Sequence, residues 1–152
     1  MEYCYIAPFG TLLCRHDGTH FTEIVLGTQA QNFLPPLPDN LARDFDRYFA
    51  GNLKTFRHPV SPKGTPFQQR VWAEIAAIPA GQVRSYREIA QRIGSHPRPV
   101  GSACGKNPLP LLIPCHRVVA ADGSLGGFSM GADPEQGLNI KRWLLAHEGV
   151  NI

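Results

Sequence analysis

Several common signatures are missing from this chain of 152 residues. No apolar run approaches the ~18 residues of a membrane-spanning helix, and no basic segment with a following apolar core opens the chain. We therefore expect neither membrane insertion nor secretion, and a cytoplasmic location. The four cysteines form no C-x-x-C pair, which in that compartment predicts reduced thiols. A phosphate-binding loop of the G-x-x-x-x-G-K-[ST] type is also missing, so a phosphate cradle has no support.

The composition is that of an ordinary globular protein. Hydrophobic residues make up 43% of the chain and charged residues 18%, a balance typical of compact domains. The length suits one domain or two small ones. Fourteen prolines and fifteen glycines predict short elements joined by many turns.

Charge is distributed unevenly along the chain. The net charge is only +3, which is compatible with a nucleic acid partner without indicating one. Residues 63–117, however, carry eight cationic side chains and only two anionic ones, Glu74 and Glu88. This surplus favours a basic surface in the middle of the chain, although a solvated basic face without a ligand explains it equally well.

The first part of the chain predicts a small α/β unit. Strand-forming segments alternate with the turn residues Phe9-Gly10 and Asp17-Gly18, which predicts an antiparallel meander. The unit contains no catalytic constellation, so we expect it to be a scaffold. The predicted strands are Tyr3–Ile6, Thr11–Arg15 and Phe21–Leu26, with a returning strand at Leu53–Phe56. The apolar stripe of an amphipathic helix consists of Leu41, Phe45, Tyr48 and Phe49.

Two cysteines and two histidines, Cys4, Cys14, His16 and His20, lie close together in this unit. Thiolate and imidazole are zinc ligands, but the spacing fits no common zinc finger. Strand residues two apart also share a face for purely geometric reasons. We therefore expect no metal site.

A connector with two prolines and a glycine separates the two parts of the chain. It predicts an N-terminal domain at residues 1–58, a linker at 59–64 and a C-terminal domain at 65–152. Two capping boxes, Thr65–Gln68 and Ser85–Glu88, predict helices that begin immediately after their first residues. Asp133, followed by Pro134, predicts the start of the last helix.

The helix that contains Arg98 has unusually small side chains. Together with the preceding short helix it predicts a helix-turn-helix. With few long polar side chains, it suits contact with the shape and backbone of DNA, for example in the minor groove, better than contact with base edges. Close packing against another helix explains the small residues equally well. They are Gly101, Ser102, Ala103 and Gly105, and Lys106 follows them.

The segment Pro114-Cys115-His116 places a thiol next to an imidazole. A thiolate is a strong nucleophile, and a nearby imidazole commonly produces one. Adjacency alone is weak evidence, because most catalytic Cys/His pairs are close in space rather than in sequence. Asp122-Gly123 predicts a hairpin whose return would cover Cys115. Glu148 lies near a helix C-terminus, where a negative charge opposes the helix dipole, which favours a specific partner such as a histidine.

The motif Pro114-Cys115-His116-Arg117-Val118 resembles the active-site motif of the O6-alkylguanine-DNA alkyltransferases. The similarity runs through the twelve positions 107–118 and returns, in the same order, elsewhere in the chain. It covers nearly all of residues 64–149, whereas residues 8–12 provide a looser match in the first part. The further matching segments are 64–72, 78–81, 85–86, 98–101 and 143–149.

The resemblance implies both a fold and an activity. The fold would be α/β, with a ribonuclease H-like N-terminal unit of antiparallel sheet and helix, and a mostly helical, winged-helix-like C-terminal unit. The protein would flip O6-alkylguanine out of duplex DNA and transfer the alkyl group irreversibly to its own cysteine, without a cofactor. We expect O4-alkylthymine as a second substrate. We also expect a monomer that can cluster along double-stranded DNA.

The resemblance also implies roles for individual residues at the reacting atoms. Cys115 would accept the alkyl group, and His116 would act as its base through a bound water, oriented by Glu148. Asn107 would brace the turn that holds the active-site segment. Tyr86 would crowd the 3′ phosphate to promote flipping and would hydrogen-bond the guanine N3.

Further residues would contact the DNA and the flipped base. Arg98 would fill the gap in the base stack, and the small helix would lie against the duplex through Gly101, Ser102, Ala103 and Lys106. Backbone groups of Cys115, Val118 and Ser129 would hold the guanine edge. Met130 stands where several family members have glycine, which predicts a tighter pocket that disfavours O6-benzylguanine relative to O6-methylguanine.

Three other classes of protein remain as alternatives. Alkyltransferase-like proteins bind the lesion without reacting, but they carry another residue at the position of Cys115. A transcription regulator would use the helix-turn-helix, but no residues remain for a regulatory domain. A cysteine hydrolase would use Cys115 and His116 with turnover. Cys104 is expected to be a buried, inert thiol.

Overall fold

The computed structural model describes residues 1–28, 33–128 and 133–152. Its first three strands, β1 (Glu2–Ala7), β2 (Gly10–His16) and β3 (Phe21–Thr28), form an antiparallel sheet in the order β1-β2-β3. The pairs Ala7↔Gly10 and His16↔Phe21 close its two turns. The three predicted strands and the meander are confirmed.

Irregular segments cover both edges of this sheet. Cys4 on β1 exchanges backbone hydrogen bonds with the chain at Pro35 and Leu37. On the other side, Phe21 binds the linker through Pro59 O (3.0 Å) and Ser61 N (2.9 Å). The predicted linker is therefore extended and lies along β3. This pairing satisfies edge groups that would otherwise remain open to association.

Helix α1 (Asp39–Phe49) packs its predicted apolar stripe on the sheet. Phe45 is fully buried and its ring lies 5.3 Å from Tyr5 and 5.9 Å from Phe21. The strand predicted at Leu53–Phe56 is wrong, because no ladder forms there. Instead, the Phe56 ring packs 5.2 Å from Phe45 and 5.1 Å from Tyr48, so burial of an aromatic side chain replaces strand pairing.

Three helices of the C-terminal part follow the local signals closely. Helices α2 (Pro66–Ala76) and α3 (Tyr86–Ile93) both begin at complete capping boxes, on Thr65 and Ser85. Gly94 ends α3 with φ 69° and ψ 39°, a left-handed conformation that favours glycine. Helix α4 (Pro97–Gly105) begins two residues later and completes the predicted helix pair.

A short parallel ladder joins this helix pair to the cysteine segment. Strand β4 (Arg84–Ser85) pairs with β5 (Val118–Val119), which directly follows a single 3-10 turn at Cys115–Arg117. The predicted turn at Asp122-Gly123 forms, since Gly123 N donates to Ala120 O and Ala120 N donates to Ser124 O, both at 3.0 Å. The described residues after this turn form no strand, and the ladder partner of β5 is β4.

The last helix, α5 (Pro134–His147), is capped by Asp133 Oδ1, which accepts from Gln136 N at 2.8 Å. Its outer aromatic residue Trp143 packs 5.5 Å from Phe9 and 5.9 Å from Phe49. One apolar cluster extends from the sheet through α1 to the C-terminal helices. The two parts of the chain thus share a core. No helix among the described residues has the length and apolar character needed to cross a membrane.

Gly64, in the linker, has no room for a side chain. A Cβ added there would lie 2.6 Å from Trp72 Cζ3 and 2.7 Å from Gln68 Oε1. Trp72 cannot move, since it is 2% exposed and its Nε1 donates to Ala103 O at 2.9 Å. We expect Gly64→Ala to lower the free energy of unfolding by about 2 kcal/mol, measured by chemical denaturation.

Gly101→Ala provides the matched control. A Cβ at Gly101 meets no atom within 4 Å, and this position lies inside α4. The substitution should raise the free energy of unfolding by about 0.5 kcal/mol, since alanine loses less backbone entropy than glycine in a helix. Equal effects of the two substitutions would contradict the assigned packing of Trp72 against the linker.

Candidate active site

The chain approaches the cysteine through a tight turn that Asn107 holds together. Asn107 Nδ2 donates to Ile113 O (2.8 Å) and its Oδ1 accepts from Leu109 N (2.9 Å). Within this turn, Leu111 has φ 76°, a conformation that costs a non-glycine residue about 1–3 kcal/mol. Asn107 and Leu111 are both buried, so packing and hydrogen bonds stabilise the strained turn.

The 3-10 turn after Pro114 buries three consecutive functional side chains. Cys115 is 3% exposed, His116 1% and Arg117 6%. Burial raises the pKa of the Cys115 thiol to about 11, against the opposing effects of Asn107 and Lys141. The cysteine is therefore a neutral thiol near pH 7, and a base must remove its proton before it can act as a nucleophile.

His116 has the protonation state that such a base requires. Burial lowers the pKa of its imidazole, although Glu148 opposes this effect. Because its ordinary pKa is about 6.5, the lowered value leaves His116 neutral at pH 7 and able to accept a proton. His116 Nε2 lies 2.9 Å from Glu148 Oε2; a neutral ring that donates from Nε2 to this carboxylate has Nδ1 as its acceptor.

Glu148, at the end of α5, is the centre of a buried ionic network. Arg117 contacts it twice, through Nε to Oε1 (2.9 Å) and Nη2 to Oε2 (2.8 Å). Burial alone would raise the pKa of this carboxyl, but the hydrogen bonds and charges of Arg117 and His116 outweigh burial and lower it. The expected partnership of Glu148 with a histidine is confirmed in geometry, and Arg117 is an additional partner that the sequence did not indicate.

A fourth member of the network comes from the N-terminal part of the chain. The Tyr48 hydroxyl on α1 donates to Glu148 Oε2 at 2.6 Å, across a hundred residues of sequence. Tyr48 had been assigned only to the apolar stripe of a scaffold helix. Periodicity predicted its burial correctly but carried no signal for the contact of its hydroxyl.

The β4–β5 ladder explains the position of Tyr86. Since Ser85 pairs with Val119, the first residue of α3 lies beside the chain that leaves Cys115. The Tyr86 hydroxyl donates to Gly127 O at 3.4 Å, and a Cβ on Gly126 would meet the Tyr86 ring at 3.2 Å. Glycine at 126 therefore allows the loop to approach the tyrosine closely.

Lys141 is a buried cation that the sequence analysis missed. It is 0% exposed, and its Nζ donates to Val118 O (2.7 Å) and Gly127 O (3.0 Å). Burial lowers its pKa to about 8, against the effects of Cys115 and Cys104. Lys141 thus connects β5 to Gly127, and its charge favours the thiolate of Cys115. A lysine inside the apolar periodicity of α5 was the available signal.

Helix α4 presents two different faces. Ala103 and Cys104 are buried against the neighbouring helices, and burial raises the pKa of Cys104 to about 12, which fits the expected inert thiol. Ser102 and Lys106 are exposed, as is Arg98 in the first turn of the helix. Helix packing therefore explains the small Ala103, whereas the face that carries Ser102 and Lys106 is open.

Two predicted site residues, Ser129 and Met130, lie outside the described residues. Val118, predicted to hold the base edge through its backbone, already binds Lys141 through its carbonyl. Among the described residues, no group of three or more His, Cys, Asp or Glu side chains could hold a metal ion. His16 Nδ1 accepts from Gly18 N instead, at 3.0 Å.

Comparison with known proteins identifies the family. Residues 66–150 match the family model described as the DNA-binding domain of 6-O-methylguanine DNA methyltransferase. The constitutive methylated-DNA–protein-cysteine methyltransferase of Bacillus subtilis is 38% identical over 157 residues, covering 95% of this chain and 92% of that one. The corresponding protein of Methanosarcina acetivorans is 44% identical over 110 residues, covering 71% and 67%.

Solved structures agree. The O6-methylguanine methyltransferase of Mycobacterium tuberculosis matches with a TM-score of 0.82 and 36% identity, covering 97% of this chain and 91% of that one. A structure of the same M. tuberculosis protein in complex with DNA matches with a TM-score of 0.83 and 37% identity over the same shares. The family model and these relatives define the chain as a DNA methyltransferase. The chain belongs to the methylated-DNA–protein-cysteine methyltransferase family.

The ionic network should contribute strongly to stability. Glu148→Gln would leave the Arg117 guanidinium buried without its counter-charge, since these side chains are 7% and 2% exposed. Removing one partner of a buried ion pair costs about 3 kcal/mol. We expect that loss of unfolding free energy at pH 7.5, measured by urea denaturation.

Glu23→Gln removes a matched carboxylate from a surface ion pair. Glu23 pairs with Arg15 on the sheet, where the side chains are 36% and 49% exposed. An exposed pair contributes less than about 1 kcal/mol. If Glu148→Gln lowered the free energy of unfolding as little as Glu23→Gln, the Arg117 charge would not require Glu148 as its partner.

Proposed function

We propose that this protein repairs alkylated DNA directly, by transferring the alkyl group of O6-alkylguanine, and of O4-alkylthymine, irreversibly to Cys115. The transfer consumes the protein, since the alkylated cysteine is not regenerated. The observation that carries this proposal is a buried Cys115 followed directly by a buried His116, whose Nε2 lies 2.9 Å from Glu148 Oε2. Membership in the methyltransferase family supports it independently.

The residues supply each part of the reaction. His116, through a water, takes the proton of the Cys115 thiol, and Glu148 stabilises the imidazolium that forms. The thiolate sulfur forms a bond to the alkyl carbon while the bond from that carbon to O6 breaks, and the electron pair stays on the guanine. The Tyr86 hydroxyl hydrogen-bonds guanine N3 and stabilises the negative charge on the departing base, and the proton that His116 took from Cys115 returns through water to that base.

Burial supports the role of Tyr86 as a hydrogen-bond donor. It raises the pKa of the phenol, with smaller effects from Cys104 and Cys115, so the hydroxyl keeps its proton and can donate a hydrogen bond to the base. Asn107 holds the turn before Cys115, and it lowers the pKa of the thiol against the effect of burial. Backbone groups of Val118 and Ser129 are our candidates for the guanine edge, with Met130 as the wall that disfavours O6-benzylguanine.

The DNA surface in this proposal is the open face of α4. A Cβ on Gly101 would meet no protein atom, so a phosphate backbone can approach the helix there, next to Ser102 and Lys106. Ala103 would support this face from its buried side. Arg98, exposed in the first turn, would fill the gap left by the flipped base, because unstacking costs a few kcal/mol that a substitute can offset.

The finer features of the architecture are part of the proposal. We infer a ribonuclease H-like domain at 1–58, a linker at 59–64 and a winged-helix-like C-terminal domain at 65–152. We also infer a monomer that can cluster on DNA. We infer a cytoplasmic location, because that compartment keeps a thiol reduced. The runner-up function, lesion binding without transfer, is disfavoured because Cys115 occupies the acceptor position.

The acceptor can be identified directly by mass. Incubation with duplex DNA containing O6-methylguanine should add one methyl group to the intact protein, on Cys115 by peptide mapping. Cys115→Ala should abolish the gain, and Cys104→Ala should retain it, because the pKa of Cys104 is raised to about 12. Binding without a change of mass would indicate the lesion-binding alternative, and multiple turnovers a cysteine hydrolase.

Arg98 should matter only when the base must leave a stack. We expect Arg98→Ala to slow methyl transfer from duplex DNA about tenfold, and from free O6-methylguanine base less than about twofold. Single-turnover rates on the two substrates measure this difference.

Arg142→Ala is the matched charge control, because Arg142 is exposed on α5 and contacts Asn139 on its own helix. It should leave both rates unchanged. Equal losses on duplex and free base for Arg98→Ala would exclude a role in flipping.

A further inference from the structure

The Tyr48–Glu148 hydrogen bond connects the N-terminal unit directly to the reacting groups. Tyr48 lies on α1 and is 2% exposed, and its hydroxyl donates to Glu148 Oε2 at 2.6 Å. The same oxygen lies 2.9 Å from His116 Nε2. The tyrosine proton and the histidine therefore compete for one carboxylate oxygen.

We propose that Tyr48 is a positioning residue of the repair reaction, which holds Glu148 Oε2 and takes up part of its negative charge. Glu148 can then orient His116 without keeping it protonated. This inference rests on the proposed function of His116 as a base. It also means that the N-terminal unit completes the active site and is more than a scaffold.

The direction of the effect follows from electrostatics. A hydrogen bond to an ionised carboxylate stabilises its charge and weakens its attraction for a neighbouring cation. This effect disfavours protonated His116, so removing the hydroxyl should raise the pKa of His116.

Other charged and titratable groups also surround the network. Arg117 and Lys141 lower the pKa of His116, whereas Glu148 raises it. From α5, His147 Nε2 lies 2.6 Å from Tyr48 O, and Lys54 lines the cavity of about 170 Å³ that Tyr48, His147 and Glu148 also line. Replacement of Tyr48 by phenylalanine leaves all of these groups in place.

Tyr48 itself is set up to donate rather than to ionise. Burial, then the charge and the hydrogen bond of Glu148, raise the pKa of its phenol, so the proton remains on the tyrosine over the working pH range. The ring packs 5.1 Å from Phe49 and 5.2 Å from His147. Phenylalanine preserves these ring contacts, which separates the hydroxyl from the packing.

The chain contains a matched tyrosine for comparison. Tyr5 on β1 donates at 2.7 Å to Oδ1 of Asp46, which lies on α1 like Tyr48. This hydrogen bond is exposed and does not involve the active site. Tyr48→Phe and Tyr5→Phe should each lose one tyrosine–carboxylate hydrogen bond. Only Tyr48→Phe should change His116.

The first experiment measures the pKa of the His116 imidazole by NMR titration of the unreacted wild-type, Tyr48→Phe and Tyr5→Phe proteins. We expect an upward shift of about one unit for Tyr48→Phe, the range for loss of a hydrogen bond to a charged group. No shift is expected for Tyr5→Phe. A His116 pKa equal in both variants would overturn the inference, whatever the protein does to DNA.

The second experiment measures single-turnover methyl transfer against pH. Because neutral His116 is the base, the rate falls as the pH drops through its pKa, and the acid limb for Tyr48→Phe should move upward by the same amount. The rate in that limb should be about tenfold lower, with little loss at pH 8. A uniform loss at every pH without a shift indicates a merely structural role and contradicts the proposal. Lack of transfer by the wild-type protein would instead refute the proposed function, with the NMR result still testing Tyr48.

Discussion

The Glu148 carboxylate is the point at which three distant parts of the chain meet. It accepts from Arg117 and His116 in the cysteine segment, and from Tyr48 in the first helix. A buried carboxylate is tolerated only when its charge is matched and its lone pairs are occupied. That requirement fixes the end of α5 against both the N-terminal unit and the turn at Cys115. The geometry of the reacting thiol depends on the same contacts.

The acid–base states around Cys115 follow from burial combined with this network. Burial keeps the thiol protonated and His116 neutral, while Arg117 keeps Glu148 ionised. A buried, protonated cysteine reacts slowly with oxidants, because only the thiolate reacts readily. A protein that can react only once benefits from a nucleophile that is formed when the substrate is in place.

The parallel pairing of β4 with β5 makes the helices α3 and α4 and the cysteine segment one unit. It places Tyr86 beside the segment that follows Cys115. Lys141 stabilises the same segment by donating hydrogen bonds to Val118 O and Gly127 O. Contact of α4 with DNA would therefore be transmitted to the active site through a short, buried path.

Much of the molecule was determined by sequence alone, wherever the physical cause is local. The capping boxes at Thr65 and Ser85 and the meander of β1, β2 and β3 depend on neighbouring residues, and all were predicted. The Cys115-His116 motif identified the family by the same local route. The strand expected at Leu53–Phe56 was wrong because it depended on a partner elsewhere in the chain. The contacts of Arg117, Tyr48 and Lys141 were decided only by tertiary structure, since a hydrophobic pattern specifies that a side chain is buried but not which buried charge its polar atom will meet.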